Sequence, residues 1–200
     1  MASLVMHLAA AARILPELGV PASERNRFLW GQLLPDARGD GTAAKRATHF
    51  RAISPDGTQL CDFPRFLHDF PPHTDSLYLG YYCHLCEDWT FRHFLYDICG
   101  IVPTPALAPT LHRDYSLLNA PLIRRYALSL DFGDVPELPG PLMAYFPYDI
   151  SALCAMLHAN FTDPAPENGT PTLFTLAMAQ AYIETAVAEA LDGVRKLPIE

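Results

Sequence analysis

Tyr78-Leu79-Gly80-Tyr81-Tyr82-Cys83-His84-Leu85-Cys86-Glu87-Asp88 is an apolar run that carries a histidine and an aspartate four residues apart. The run has no proline and no strand-like alternation, so it reads as a helix. In a helix, positions i and i+4 lie one above the other on the same face. An imidazole and a carboxylate converging on an apolar face make a poor core but a good place for a divalent cation. Glu87 points about 100° away from Asp88, toward the polar face or into a supporting contact with a ligand.

Working outward, the run belongs to a helix capped by Thr74, Asp75 or Ser76 that continues to about Ile98 and stops at Gly100. Upstream, helical periodicity predicts a helix over 3–18, ended by Gly19 and Pro21, and a second over 23–34. Ser23 is the expected N-cap of the second, Phe28, Leu29, Gln32 and Leu33 its stripe, and Pro35 its stop. Gly39-Asp40-Gly41-Thr42 reads as a loop, Asp56-Gly57 as a turn, and 62–69 as a short helix before Pro71-Pro72. Downstream, the Pro-rich stretch 102–109 reads as a loop and 113–129 as a helix. The stretch 131–147, with Pro136, Pro139, Pro141 and Pro147, cannot stay regular for long. Helices over 148–161 and 171–192 follow, separated by the polar loop Thr162–Thr170. The expectation is a single, compact all-α domain over residues 1–200, with six or seven helices.

Composition narrows the function. Half of the 200 residues are hydrophobic, enough for one sizeable core. A net charge of −8 argues against an extended nucleic-acid surface, although Lys45, Arg46 and Arg51 gather around His49. The apolar first helix is interrupted by His7, Arg13 and Pro16, too early for a membrane span, and lacks the basic start of a signal peptide. Five cysteines, an odd number, lie mostly in apolar helix-like surroundings, which favours reduced thiols and a cytoplasmic protein. Cys83 and Cys86 form a C-x-x-C, but in mid-helix rather than at a helix start, where a redox pair would sit.

Three more polar residues share the setting of His84 and Asp88. His7 lies in Leu4-Val-Met-His-Leu-Ala-Ala, Asp36 follows Pro35 at the end of a buried helix, and His49 lies in Ala47-Thr-His-Phe50. Imidazoles and carboxylates together make a mixed nitrogen and oxygen shell suited to zinc, manganese or iron. His68 and His73 flank the Pro-Pro turn and face solvent on this reading, whereas His158 belongs to the core or lines a pocket. His93 lies about 180° from His84 and faces elsewhere.

The succession of His7, Phe28-Leu-x-Gly-x-Leu-x-Pro-Asp36, Thr48-His49-Phe50 and Leu79-Gly-Tyr-x-x-His84-Leu-x-x-Asp88 resembles the zinc-dependent phospholipase C-like family. That superfamily includes the single-strand-specific plant and fungal nucleases. The resemblance covers residues 4–96, with a weaker tail through His112-Arg-Asp114-Tyr-Ser-Leu-Leu-Asn119. It implies an all-helical fold, a zinc cluster and hydrolysis of phosphate esters. Asp36, His49, His84 and Asp88 would form the principal site, with Asp88 bridging toward His7 and with His112 as a further ligand. The secreted members use a processed N-terminal tryptophan, and a later histidine with glutamate four residues on. Here the chain begins at Met1, and Ser116 follows His112 at that spacing. One or two ions are therefore expected rather than three.

On this reading Asp36 or Asp114 orients the attacking water. Arg46, Arg51 or Arg113 neutralises the phosphate of a small phosphate-ester substrate. Two alternatives stand beside the enzyme: a metal-stabilised, non-catalytic helical binding protein, and a metal-free helical interaction domain. An HD-type phosphohydrolase needs an adjacent His-Asp in a core helix, and the one instance, His68-Asp69, has the wrong surroundings.

Overall fold

The computed structural model describes residues 2–37, 42–55, 57, 59–131, 133–146, 148–162 and 169–197. The chain is predominantly helical. Its elements are α1 (Leu4–Leu18), α2 (Arg25–Leu33), α3 (Thr42–Thr48), β1 (Arg51–Ile53), β2 (Gln59–Cys61), α4 (Phe63–Asp69), α5 (Ser76–His93), α6 (Ala108–Arg125), α7 (Gly140–Tyr145), α8 (Ile150–Thr162) and α9 (Leu176–Arg195). No described helix is long and apolar enough to cross a membrane.

Helix ends follow local chemistry. Ser3 caps α1 by accepting from Met6 N, and Gly19 closes it in the left-handed region at φ 62°. Asp75 is the cap of α5, accepting from Leu77 N at 2.8 Å. Asp62 and Thr175 cap α4 and α9 in the same way. Ser23 does not cap α2; it sits inside a 3-10 turn over Ala22–Glu24 that leads straight into the helix. A second 3-10 turn, Leu34–Asp36, carries Pro35 and delivers Asp36.

Several expectations are corrected. The central helix ends at His93, and Phe94–Ile98 widens into a π-helical turn before Gly100. Helix α6 starts five residues before the expected 113, because Pro109 is accepted in its first turn, where no N–H is needed. Helix α3 and the antiparallel β1–β2 hairpin, with Arg51 opposite Cys61 and Ile53 opposite Gln59, were not foreseen. Neither was α7, which starts at Gly140 beside Pro141. Nine α-helices thus stand among the described residues. The Gly39–Gly41 segment, Asp56 and residues 163–168 of the polar loop lie outside the described residues.

The core forms where α1, α2, α5 and α9 meet, with Val5, Met6, Phe28, Leu33, Leu77, Tyr81, Tyr182 and Ile183 fully or almost fully shielded. The closest approach is between α2 and α5. A Cβ on Gly31 would lie 2.1 Å from the Leu77 carbonyl oxygen, and one on Gly80 would lie 2.1 Å from that of Phe28. Two glycines thus let the helix backbones touch and bring Gln32 beside His84. On the other side of α5, Phe50 holds the chain after α3. It adopts φ 48°, a strained value for a side-chain-bearing residue, inside a cage of Phe66, Phe70, Tyr81 and Phe146 rings. The Tyr81 hydroxyl donates to the Thr48 carbonyl. Together these contacts fix His49 over α5.

Candidate metal centre

Five side chains from four parts of the chain converge beneath the start of α1. His7 comes from α1, Asp36 from the 3-10 turn after α2, His49 from the end of α3, and His84 and Asp88 from α5. Their exposures are 0%, 8%, 2%, 0% and 7%, so all five are shielded from bulk water. The His7 and His84 rings stack at 3.9 Å, and His49 meets His84 edge-on. His7 Nε2 lies 3.6 Å from Asp88 Oδ1; His49 Nε2 lies 3.4 Å from Asp88 Oδ2 and 3.6 Å from Asp36 Oδ1.

Hydrogen bonds fix which ring nitrogens face the middle. His84 Nδ1 lies 2.8 Å from the Gln32 carbonyl oxygen and His49 Nδ1 2.9 Å from that of Lys45. Carbonyl oxygens only accept, so both Nδ1 atoms carry the hydrogen. Burial lowers the His49 pKa to about 4 and drives that of His84 well below its ordinary value, with the neighbouring His7 adding to the effect on His84. Both rings are therefore neutral, with bare Nε2 lone pairs. Those two Nε2 atoms stand 3.3 Å apart. Two lone pairs facing each other in a dry site repel unless a cation lies against them.

His7 is held differently. Its Nδ1 donates to Glu87 Oε2 at 2.6 Å, while Glu87 Oε1 accepts from Gln32 Nε2 at 2.8 Å. Burial opposes charge on His7, yet Asp88 and Glu87 raise its pKa to about 10. The middle of the cluster thus calls for positive charge. His7 Nε2 and Asp88 Oδ2 are both buried without a hydrogen-bond partner. Glu87 is fully buried, so the polar-face alternative is overturned; it is a carboxylate that orients the His7 ring. Glu87→Gln preserves the shape but removes the charge behind His7. A zinc titration should show affinity lower by about 10- to 100-fold, the range for outer-shell partners of metal ligands. An unchanged isotherm would remove His7 from the ligand set.

The donors fall into two overlapping groups, His7/His84/Asp88 and Asp36/His49/His84, in each of which the potential ligand atoms lie within 4.8 Å of one another. One bare Nε2 on His84 serves one ion, so a second ion would depend on the carboxylates. Three imidazoles with two carboxylates fit zinc, and manganese or iron less selectively. The cysteines stay outside this chemistry. All five are free, and burial pushes Cys83 well above the ordinary thiol range and Cys86 to about 12.

The remaining candidates separate. His112 is exposed on α6 and is not part of either donor group. Asp114 is fully buried, and its Oδ2 accepts from the backbone N–H groups of Thr172, Leu173 and Phe174 at 2.9, 2.6 and 3.0 Å. It clamps the segment before α9, and that oxygen is fully engaged. Arg113 is exposed beside Thr170 O and Asp114, and Arg46 is exposed on α3. Of these three arginines it is Arg51 that reaches the cluster, its Nη2 3.7 Å from Asp88 Oδ2. His93 and His68 face solvent beside Asp97 and Asp69. His158 is exposed beside Thr162 rather than in the core.

Two openings border the centre. A slot between the hairpin and α5 is lined by His49, Asp88, Arg51 and Arg92. A cleft of about 220 Å³ is lined by Asp36, His112, Tyr115, Asn119 and Asn160 together with the apolar Leu4 and Met156. Arg92 is the residue that sequence reasoning passed over, and its signal was present, one turn after Asp88 on the same helix. No family model, curated protein or solved structure matches the chain.

Proposed function

We propose that this protein is a metal-dependent hydrolase of phosphate esters, of the zinc phospholipase C-like type, with His7, Asp36, His49, His84 and Asp88 holding one or two zinc ions. The observation that carries the reading is the 3.3 Å meeting of two neutral imidazole Nε2 atoms whose Nδ1 hydrogens are already committed to carbonyls. When bound, such an ion supplies a Lewis acid and lowers the pKa of water toward neutrality.

The chain's own residues supply the rest. Asp36 borders both the donor cluster and the cleft, so it can orient a water that enters from that side. Arg51 lies where it can pair with a phosphoryl oxygen held at the centre. Burial of all five donors excludes bulk water and strengthens every charge interaction among them. That same burial favours a second reading, a metal-stabilised helical binding protein without turnover.

Elemental analysis of the purified protein should find one or two zinc ions per chain. A chromogenic phosphodiester should be hydrolysed, the activity lost to a chelator and restored by zinc. Protein that neither retains nor takes up metal would refute both readings. Stoichiometric metal without turnover would leave the binding protein.

A further inference from the structure

The slot above His49 and Asp88 has two guanidinium groups in its walls, in a chain whose net charge is −8. Arg51 comes from β1 and Arg92 from α5, one turn beyond Asp88. Strand alternation puts Gln59 and Cys61 on one face of β2, and Arg51 stands directly opposite Cys61, so this face of the hairpin covers the slot.

Arg92 is set in place from two sides. Its Nη1 donates to Gln59 Oε1 at 2.7 Å, and its guanidinium lies 4.9 Å from the centre of the Tyr96 ring. Neither neighbour neutralises it: Gln59 is uncharged, and the ring face favours a cation. The slot is compact and opens to solvent. Leu85 and Trp89 close its sides.

We infer that this slot takes the terminal phosphoryl group of a phosphomonoester, with Arg51 and Arg92 pairing with its oxygens. The inference rests on the proposed hydrolase reading and names its substrate class. A monoester phosphate carries two negative charges near neutrality and leaves three oxygens without a substituent. Two guanidiniums match that charge, Arg92 held by Gln59 and Tyr96 and Arg51 beside Asp88, and a compact slot suits a group with one substituent rather than two. In the reaction, the oxygen of water bonds to phosphorus as the ester P–O bond breaks. The departing alkoxide oxygen ends with a proton derived from that water, giving an alcohol and inorganic phosphate.

Arg92 lies outside the donor cluster, which makes it separable from metal binding. Arg92→Met should keep the metal content and the melting temperature of the parent. It should weaken binding of inorganic phosphate, measured by calorimetry on the metal-containing protein, by about 10- to 100-fold, the worth of a charge-assisted pair. Its kcat/KM for 4-nitrophenyl phosphate should fall by a similar factor, with a change of less than about threefold for bis(4-nitrophenyl) phosphate. Arg92→Lys should recover only part of the loss, because a point charge cannot pair twice. Equal losses on both esters, a parent that prefers the diester, or unaltered phosphate affinity would overturn the inference while leaving a hydrolase. If neither ester is cleaved, the hydrolase reading fails, and the phosphate affinities of parent and variant still decide the slot.

Discussion

Asp88→Ala and His84→Ala should each lower zinc affinity by more than about 100-fold, exceeding the loss expected from an outer-shell change. Asp88 faces His7 through one oxygen and His49 and Arg51 through the other. Its removal therefore takes an anionic donor from the middle and leaves three imidazoles around an uncompensated space. His84 belongs to both donor groups, so its loss undoes whichever one is occupied. Added zinc should raise the melting temperature of the parent, because an ion bound only to the folded state stabilises by mass action, and should not raise that of either variant. Asp88→Asn tests the charge while keeping the shape. His93→Ala is the internal control: it lies on the same helix, exposed and beside Asp97, and should keep its full metal content. Equal zinc content in parent, Asp88→Ala and His84→Ala would refute the centre.

The five donors were legible because each breaks a local rule. An imidazole in Leu4-Val-Met-His7-Leu-Ala or a carboxylate inside α5 conflicts with its apolar neighbours, and such conflicts mark sites. Glu87 was readable only in part, since the wheel gave its direction but not that α1 would place His7 there. His112 and Asp114 misled because their surroundings are decided elsewhere. Asp114 is claimed by backbone N–H groups nearly sixty residues later, a pairing no local pattern encodes. The hairpin escaped notice because its strands are three residues each, too short for alternation to rise above chance. With the hairpin went the meaning of Arg92, whose anchor, Gln59, sits on β2. Helices were easier, because proline and capping residues mark their ends. Even so, Pro109 stood inside α6 where a breaker was expected, since a first turn accepts it.

Gly80→Ala and Gly31→Ala should each cost about 3 kcal/mol or more of folding stability, at the upper end of what overpacking does. The sign is diagnostic. In a helix with open surroundings, alanine for glycine gains about 1 kcal/mol. Here the added Cβ would meet a backbone carbonyl oxygen at 2.1 Å, and a backbone atom has no rotamer to escape into. Only separation of α2 from α5 relieves the clash, and those two helices carry the frame of the centre. The Gln32 carbonyl that orders His84, and the Gln32 amide that binds Glu87, both cross the same junction. Each variant should therefore unfold at lower urea and also bind zinc more weakly, although neither glycine touches the donors. Gly140, at the start of α7 with nothing within 4 Å of an added Cβ, serves as the control, and Gly140→Ala should not destabilise. With total stability of a domain this size at about 5–15 kcal/mol, the loss is large enough to read in a denaturant titration. Retained stability in Gly80→Ala would mean that the backbones do not meet there, and that another contact sets the His84 ring.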